Sequence, residues 1–204
     1  MSKKQVKALL HNLGKENKLP QLEQYCRLLF AENKKINLIS RRTTENEFWL
    51  KHILDSLLPF SKLKLKLKKQ IILDFGSGGG LPGIPLKILF PETTLYLLDS
   101  KLKKTNFLIK VTKKLDLEKC YIIRKRLENL NNDYSDMFDI ILCRSVKILP
   151  AYRKKMLELL KAKGKIYLYK GKKMDDIKQF ANYKIYDYSR KELGTRKLIE
   201  INNG

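Results

Sequence analysis

The sequence predicts an α/β protein with a mostly parallel sheet, preceded by a small helical region. From residue 71 onward, short apolar segments that suit strands alternate with longer segments that suit helices, an order typical of βαβ units. A cluster of glycines joins the first such strand to the helix after it. Two strand candidates with a short connection end the chain, and they predict an antiparallel hairpin at one edge of the sheet.

Helices are expected in the first sixty residues, where apolar side chains recur at helical spacing. The expected helical segments are residues 6–13, 22–33 and 45–58. A polar loop at residues 40–44 precedes the third of them. This pattern predicts a helical region at residues 1–62 and an α/β domain at residues 63–204.

The boundary between the two regions carries alternating lysine and leucine at residues 62–69. We expect a solvated linker with a weak strand-like edge there, and a strand that touches phosphates is the alternative. Further strands are expected at residues 71–75, 95–98, 121–123, 139–143, 165–169, 184–188 and 197–201. Helices are expected at residues 84–90, 103–115, 151–160 and 175–182.

The loop after the first strand of the domain is rich in glycine, at positions 76, 78, 79, 80 and 83. Glycine lets a loop turn sharply and lets the backbone approach a ligand, while the next helix directs free N–H groups at the same place. Residues 78–83 satisfy the G-x-G-x-x-G pattern of dinucleotide sites. Two features favour another ligand: Asp74 can face an ammonium group, and Pro82 and Pro85 stiffen the segment.

This form of the loop resembles the first motif of class I S-adenosylmethionine (AdoMet)-dependent methyltransferases. The resemblance implies a Rossmann-like fold with a terminal hairpin and a glycine loop around the methionine part of AdoMet. In that family an acidic residue that ends the second strand binds both ribose hydroxyls. Asp99 stands at that position in this sequence. AdoMet is therefore the expected cofactor.

The composition suggests a polyanionic partner, because the net charge is +23 and the pI is near 9.9. Lysine outnumbers arginine and the chain is rich in Ile and Asn, so an AT-biased genome is an alternative source of the charge. Cys26, Cys120 and Cys143 are scattered and form no disulfide framework or metal site, as in a reducing cytoplasm. Without a secretory segment or an apolar run of ~18 residues, we expect no membrane insertion.

The residue types at the expected strand ends exclude several chemistries. Amino-methylating enzymes carry an Asn/Asp-Pro-Pro-aromatic element after the fourth strand, where this chain has Leu-Cys-Arg-Ser at residues 142–145. Cys143 is expected in the core rather than as the nucleophile of a cytosine-C5 methyltransferase. The chain has no phosphate-binding G-x-x-x-x-G-K-[ST], and His11 and His52 form no metal set with the cysteines. An acceptor with a free lone pair, such as guanine N7, suits a site without an obvious base.

Four motifs, in order, resemble the bacterial small-subunit ribosomal RNA guanine-N7 methyltransferase family, also called glucose-inhibited division protein B. They are Asn-Leu-Ile-Ser at 37–40, Lys-His-Ile-Leu-Asp-Ser at 51–56, Gly-Ser-Gly-Gly-Gly-Leu-Pro-Gly-Ile-Pro at 76–85 and Leu-Leu-Asp-Ser-x-x-Lys-Lys at 97–104. Their order and spacing hold from about residue 20 to residue 171. The resemblance implies methyl transfer from AdoMet to N7 of a guanine in 16S rRNA, with the RNA or the 30S particle as partner.

The resemblance also implies the residues of the site. The expected cofactor-binding residues are Asp74, Gly76, Gly78, Gly80, Leu81, Asp99, Leu127, Glu128 and Arg144. The expected catalytic residues, on the substrate side, are Lys103, Arg126, Arg144 and Lys170. No metal is expected. The chain departs from the family at Ser145 and Val146, where alanine is usual, and at Lys104, where arginine is common and can form a bidentate fork.

Alternatives stay open for several of these residues. His52, Asp55 and Ser56 share one helix face, either as a hydrogen-bonded cluster that bridges the two regions or as a wall of the active site. Arg126 and Glu128 can form an exposed ion pair instead of contacting ligands. For the function, the alternatives are a class I methyltransferase that acts on another RNA base or on a translation protein, and a non-catalytic RNA-binding module.

Overall fold

The computed structural model describes residues 2–63 and 67–203 of the chain. The helical region contains α1 (Ser2–Asn12), α2 (Leu19–Asn33), α3 (Glu45–Phe48) and α4 (Asp55–Lys62), with a π-helical turn, Trp49–Leu54, between α3 and α4. Helices were predicted here, but the third predicted helix is divided by the π-helical turn. Such turns are rare and frequently occur at functional sites.

The start of α3 is fixed by a capping box. The backbone N–H of Glu47 donates to Thr44 Oγ1 at 3.3 Å, and the N–H of Thr44 donates to Glu47 Oε2 at 3.0 Å. These two bonds satisfy backbone groups that the first turn of a helix leaves free. The predicted polar loop therefore ends at Thr44, and α3 enters the π-helical turn directly.

The α/β domain is built on one seven-stranded sheet with the order β3-β2-β1-β4-β5-β7-β6. The strands are β1 (Ile71–Phe75), β2 (Thr94–Leu98), β3 (Cys120–Ile123), β4 (Phe138–Arg144), β5 (Leu160–Lys170), β6 (Tyr183–Asp187) and β7 (Lys197–Asn202). The first five are parallel, and β7 pairs antiparallel with both β5 and β6. The predicted parallel sheet with a terminal antiparallel hairpin is confirmed.

Helices cover both faces of the sheet. They are α5 (Gly83–Leu89), α6 (Leu102–Lys114) and α7 (Pro150–Leu159). Alternate residues of β1 enter different core clusters: Ile72 belongs to the cluster that includes residues of α1, α2, α4, α5 and α6, whereas Leu73 belongs to the cluster that includes α7. The helical region and the sheet therefore share one core, and the division at residue 62 stays a prediction.

Helix α2 binds the domain through polar contacts as well as through the core. Gln21 Nε2 donates to the carbonyl of Leu115 at 2.7 Å. The hydroxyl of Tyr25, which is fully buried, donates to the carbonyl of Gly79 in the glycine loop at 2.6 Å. The helical region thus supports the backbone of the loop directly.

One predicted element differs from the structure, and another lies partly outside the described residues. The helix expected at residues 175–182 is a single 3₁₀ turn, Asp175–Ile177. Its polar groups bind a neighbouring loop instead, since Asp176 accepts from the N–H of Ile148 at 2.8 Å. The lysine–leucine segment at residues 62–69 includes residues 64–66, which lie outside the described part. Leu67 beyond them is buried, whereas Lys68 and Lys69 are exposed and belong to no helix or strand, so the predicted solvated linker stays a prediction.

Candidate active site

Two adjoining cavities open at the carboxyl ends of the parallel strands, where ligands of such sheets bind. The glycine-loop cavity, of about 620 Å³, is lined by residues that include Gly76, Gly78, Leu81, Asp99, Lys104, Arg126, Leu127, Glu128 and Arg144. The arginine cavity, of about 1030 Å³, is lined by residues that include His52, Asp55, Arg144, Tyr169, Lys170, Asp176, Tyr188 and Arg196. Both include His52 and Arg144, so these two side chains form a shared wall.

The glycine loop has a shape that side chains would obstruct. Gly76 has φ +74, and a Cβ there would lie 2.6 Å from Val146 Cγ2. Gly80 has φ +88, and a Cβ there would overlap Ile84 of α5. Gly76 lines the glycine-loop cavity, whereas Gly80 packs behind the loop and does not. The structure therefore gives Gly80 a role in the shape of the loop.

Asp99 follows β2 and lines the glycine-loop cavity, where its carboxylate is held in place. The N–H of Gly78 donates to its Oδ2 at 3.0 Å, and the N–H of Lys101 donates to its Oδ1 at 2.9 Å. Lys104 Nζ lies 3.9 Å from Oδ2. Each carboxylate oxygen can accept a second hydrogen bond, so a ligand with two adjacent hydroxyls fits this group.

Asp74 lies beneath the loop and lines neither cavity, so its expected contact with a ligand stays a prediction. Its side chain is fully buried, and Oδ2 accepts from the N–H of Gly83 at 2.9 Å. Oδ1 has no hydrogen-bond partner among the described residues. Burial raises the pKa of Asp74 to about 7. The carboxyl group therefore connects β1 to the first turn of α5 under the glycine loop.

The Gly83→Ala variant should test this connection. A Cβ at Gly83 would lie 2.6 Å from Asp74 Oδ2 and 3.0 Å from Leu97 Cδ2. Because both neighbours are buried, we expect a loss of about 1–3 kcal/mol in the free energy of unfolding, the usual cost of overpacking. Urea unfolding without ligand measures it. Gly171→Ala is the control, since its Cβ would meet no atom closer than 3.7 Å. Equal stability of the two variants would contradict the packing described here.

Arg144, at the end of β4, is held by the helical region. Its Nη1 donates to Asp55 Oδ2 at 3.2 Å and to the carbonyl of Lys51 at 3.4 Å. Its Nη2 lies 3.2 Å from His52 Nδ1. Burial and then the charges of Arg144 and Lys51 lower the pKa of His52 to about 3. His52 is therefore neutral near pH 7, and its Nδ1 can accept this hydrogen bond.

Asp55 binds two further donors. Arg196 Nε donates to its Oδ1 at 3.1 Å, and the hydroxyl of Tyr188 donates to the same oxygen at 3.0 Å. The hydroxyl of Tyr169 donates to the carbonyl of Ser56 at 2.8 Å. The cluster at residues 52–56 thus bridges the two regions, as the first alternative predicts. His52 and Asp55 also line the arginine cavity, but their place in an active site stays a prediction.

Lys170, at the end of β5, is paired with an acid. Its Nζ lies 2.5 Å from Asp176 Oδ2, and its side chain is only 9% exposed. Burial acts to raise the pKa of Asp176. The hydrogen bond from the backbone N–H of Ile148, together with the hydrogen bond and charge of the Lys170 side chain, has the larger effect and holds the pKa below its ordinary value. Lys170 lines the arginine cavity as one half of an ion pair, not as an isolated cation.

A comparison with protein families matches residues 18–195 to the family described as rRNA small subunit methyltransferase G, GidB. The chain belongs to this family. A relative from Mesoplasma florum named ribosomal RNA small subunit methyltransferase G is 40% identical over 184 residues, which cover 90% of this chain and 76% of the relative. The family predicted from the four motifs and the prediction of a methyltransferase are confirmed.

Solved structures show the same fold in methyltransferases of low sequence identity. A precorrin-6y C5,15-methyltransferase from Geobacter metallireducens has a TM-score of 0.58 at 15% identity, covering 83% of this chain and 95% of that one. A SAM-dependent methyltransferase from Aquifex aeolicus has a TM-score of 0.56 at 14% identity, covering 72% and 90%. The predicted class I fold is confirmed, and the expected AdoMet cofactor accords with it.

Within this member of the GidB family, the structure brings most of the expected site residues together. Arg126, Leu127 and Glu128 line the glycine-loop cavity, and the ion pairs among the described residues include none between Arg126 and Glu128. Lys103 is exposed and lines neither cavity, whereas the next residue, Lys104, lines the glycine-loop cavity. The phase of α6 turns Lys104 rather than Lys103 toward Asp99.

The sequence did not single out Tyr188, Arg196 or Asp176 of this GidB-family site. Their places depend on how the end of the chain folds back, and no motif marks them. Cys143 is buried and its burial raises its pKa, which confirms the expected core cysteine. Residues 2–63 and 67–203 include no cluster of three metal-binding side chains and no helix long and apolar enough to cross a bilayer.

Proposed function

We propose that the protein transfers a methyl group from AdoMet to N7 of a guanine in small-subunit ribosomal RNA. The observation that carries the proposal is the wall of His52 and Arg144 shared by the two cavities. It places a site suited to the methyl donor beside a second site suited to the acceptor. Membership in the rRNA small subunit methyltransferase G family supports the choice of RNA.

The glycine-loop cavity fits AdoMet by its donor set and its size, about 620 Å³. In the proposal Asp99 accepts from the ribose hydroxyls, because its two oxygens are already held by backbone N–H groups. The residues that line or shape the methionine and adenine ends are Gly76, Gly78, Gly80, Leu81, Leu127 and Glu128. Asp74 supports the loop from below. Bound AdoMet supplies an electrophilic methyl group on a sulfonium.

The arginine cavity suits an acceptor that attacks without losing a proton. His52 has a pKa of about 3 and its Nδ1 is engaged by Arg144, so it is a poor general base near pH 7. Asp55 and Asp176 are each paired with a cation. Guanine N7 has a free lone pair and needs no base, whereas an exocyclic amine or a ribose hydroxyl must lose a proton. Arg144 would orient the base, and catalysis would rest on alignment.

The test is to map the methylated nucleotide. Small-subunit RNA that lacks N7-methylguanine is incubated with the protein and labelled AdoMet, as naked RNA and as 30S particles in separate reactions. The RNA is then treated with a reaction that cleaves RNA chains specifically at N7-methylguanine, and we expect cleavage at one guanine. Label on another base or on a ribosomal protein would favour the alternative methyltransferase, and an absence of transfer to both substrates would favour a non-catalytic RNA-binding protein.

Within this proposal the protein works in the cytoplasm, where its RNA substrate is made. Residues 1–62 form a helical region that supports the glycine loop through Tyr25 and holds Arg144 through Asp55. Residues 63–204 form the methyltransferase domain. The positive charge of the chain, +23, serves to attract the RNA backbone.

RNA binding should depend on salt through residues beside the cavities. Arg126 and Lys103 are both exposed; Arg126 lines the glycine-loop cavity, and Lys103 precedes the lining residue Lys104. If each contacts a phosphate, alanine in its place should reduce the slope of log K against log salt by about 0.7–0.9. Filter binding across a salt series measures the slope. Lys163→Ala is the control, because Lys163 is exposed in the first half of β5, away from the carboxyl ends. Equal slopes for all three variants would contradict the assigned surface.

A further inference from the structure

Asp55 collects donors from three separate parts of the chain. Arg144 ends β4, Tyr188 follows β6, and Arg196 precedes β7, and all three lie 3.0–3.2 Å from its carboxylate oxygens. Its side chain is only 7% exposed. One negative charge therefore stands between two guanidinium groups that would otherwise repel each other in a partly buried place.

The hydrogen bonds of Arg144 leave a defined part of its guanidinium free. An arginine has five N–H groups. Two on Nη1 donate to Asp55 and to the carbonyl of Lys51, and one on Nη2 donates to His52. Among the described residues no hydrogen bond engages the N–H on Nε, and Nη2 carries a second N–H. Nε and Nη2 lie on the same edge of the planar group, so this edge can still donate to a ligand. Arg144 lines both cavities, so this edge is available where donor and acceptor meet.

The backbone next to Asp55 is unusual in a way that suits this arrangement. The π-helical turn Trp49–Leu54 ends immediately before Asp55. The carbonyl of Lys51, the ring of His52 and the carboxylate of Asp55 all contact the same guanidinium. The turn and the first residue of α4 thus present three acceptors to Arg144 from one short segment.

We propose that Asp55 is a positioning residue for methyl transfer: it fixes Arg144 so that the free edge of the guanidinium orients the acceptor base beside the methyl donor. The same carboxylate forms an ion pair with Arg196, which also lines the arginine cavity. This inference rests on the proposed function and assigns Asp55 an effect on the alignment of the acceptor, with no contact to AdoMet.

Asp55→Asn is the first test. An asparagine has one acceptor oxygen for three donors, and its amide N–H groups would face donors. We expect single-turnover transfer, at saturating AdoMet and RNA, to fall about 100-fold, the scale of a small misplacement. The Kd of AdoMet should change less than about threefold, because Asp55 lines the arginine cavity and not the glycine-loop cavity. A tenfold change in Kd would correspond to about 1.4 kcal/mol of binding free energy. A merely structural role would lower activity only in proportion to the folded fraction.

Glu200→Gln is the matched control. Glu200 is also buried and also binds a tyrosine and a cation, with Tyr167 and Lys165 each 3.1 Å away, but it lines neither cavity. We expect it to lower the Tm while each folded molecule transfers methyl at the parent rate. If Glu200→Gln and Asp55→Asn lower the rate per folded molecule equally, Asp55 has only a structural role.

A double-mutant cycle with Arg144→Lys shows whether Asp55 acts through Arg144. If it does, Asp55→Asn should lower the rate of Arg144→Lys much less than it lowers that of the parent, because the two changes remove one interaction. Additive losses would overturn the inference. Should Asp55→Asn not fold, Asp55→Glu keeps the charge but moves the oxygens by one methylene. Loss of transfer in a folded Asp55→Glu supports the inference, and parent-like transfer overturns it.

The failure of this inference and that of the proposed function look different. A parent protein that methylates no small-subunit RNA overturns both. An active parent with an equally active, folded Asp55→Asn overturns only the role of Asp55.

Discussion

Replacing Arg144 with lysine should lower the rate of methyl transfer about 100-fold and leave the fold intact. The guanidinium of Arg144 donates to Asp55, to the carbonyl of Lys51 and to His52 while keeping one edge free. A lysine ammonium has three N–H groups on a flexible stem and no fixed edge. The positive charge would remain, but the acceptor base would no longer be oriented.

Single-turnover transfer at saturating AdoMet and RNA is the measurement, because it separates chemistry from binding. Arg124→Lys is the control, since Arg124 is exposed and lines neither cavity. We expect the control to transfer methyl at the parent rate and both variants to unfold near the parent temperature. Parent-like turnover by Arg144→Lys would show that Arg144 has no orienting role.

Asp99→Ala should weaken the binding of AdoMet by about 1.5–3 kcal/mol, the range for hydrogen bonds to charged groups. In the proposed complex both carboxylate oxygens accept from ribose hydroxyls. The substitution also frees the N–H groups of Gly78 and Lys101, which now bind these oxygens, so the loop loses a support.

Isothermal calorimetry with AdoMet measures this loss. Asp99→Asn is the informative companion, because it keeps the shape and one acceptor oxygen but has no charge. We expect its affinity to lie between those of the parent and Asp99→Ala. Unchanged affinity in Asp99→Ala would mean that the ribose binds elsewhere and that the glycine-loop cavity is not the AdoMet site.

Local sequence patterns predicted most of the fold, because most of its helices and strands are determined by residues that are near one another in the chain. Strand β1 is a short apolar segment that ends at a glycine loop, and few structures other than a buried strand followed by a tight turn suit this pattern. The prediction of a helix at residues 175–182 was wrong although the composition suits a helix. Asp176 accepts hydrogen bonds from Ile148 and Lys170, which lie outside this segment, and these bonds compete with helix formation. The π-helical turn at Trp49–Leu54 likewise has no signature in the spacing of apolar residues.

The sequence predicted the site residues that lie at the carboxyl ends of strands. It did not predict those whose position depends on contacts between residues that are far apart in the chain. Asp99 and Arg144 come directly after or at the end of parallel strands, so topology alone places them. Arg196 reaches Asp55 only because β7 returns antiparallel beside β5 with one register. Lys103 and Lys104 differ by one position, and the start of α6 at Leu102 decides which of them faces Asp99.

The buried bond from Tyr25 to Gly79 limits how this enzyme can be divided or recombined. A chimera that joins the α/β domain to the helices of another protein would lose the hydroxyl that holds the glycine loop from behind. It would also remove α1, α2 and α4 from the core cluster that they share with α5, α6 and the sheet. The helical region and the loop have to be inherited together, and exchange between relatives should preserve them as one unit.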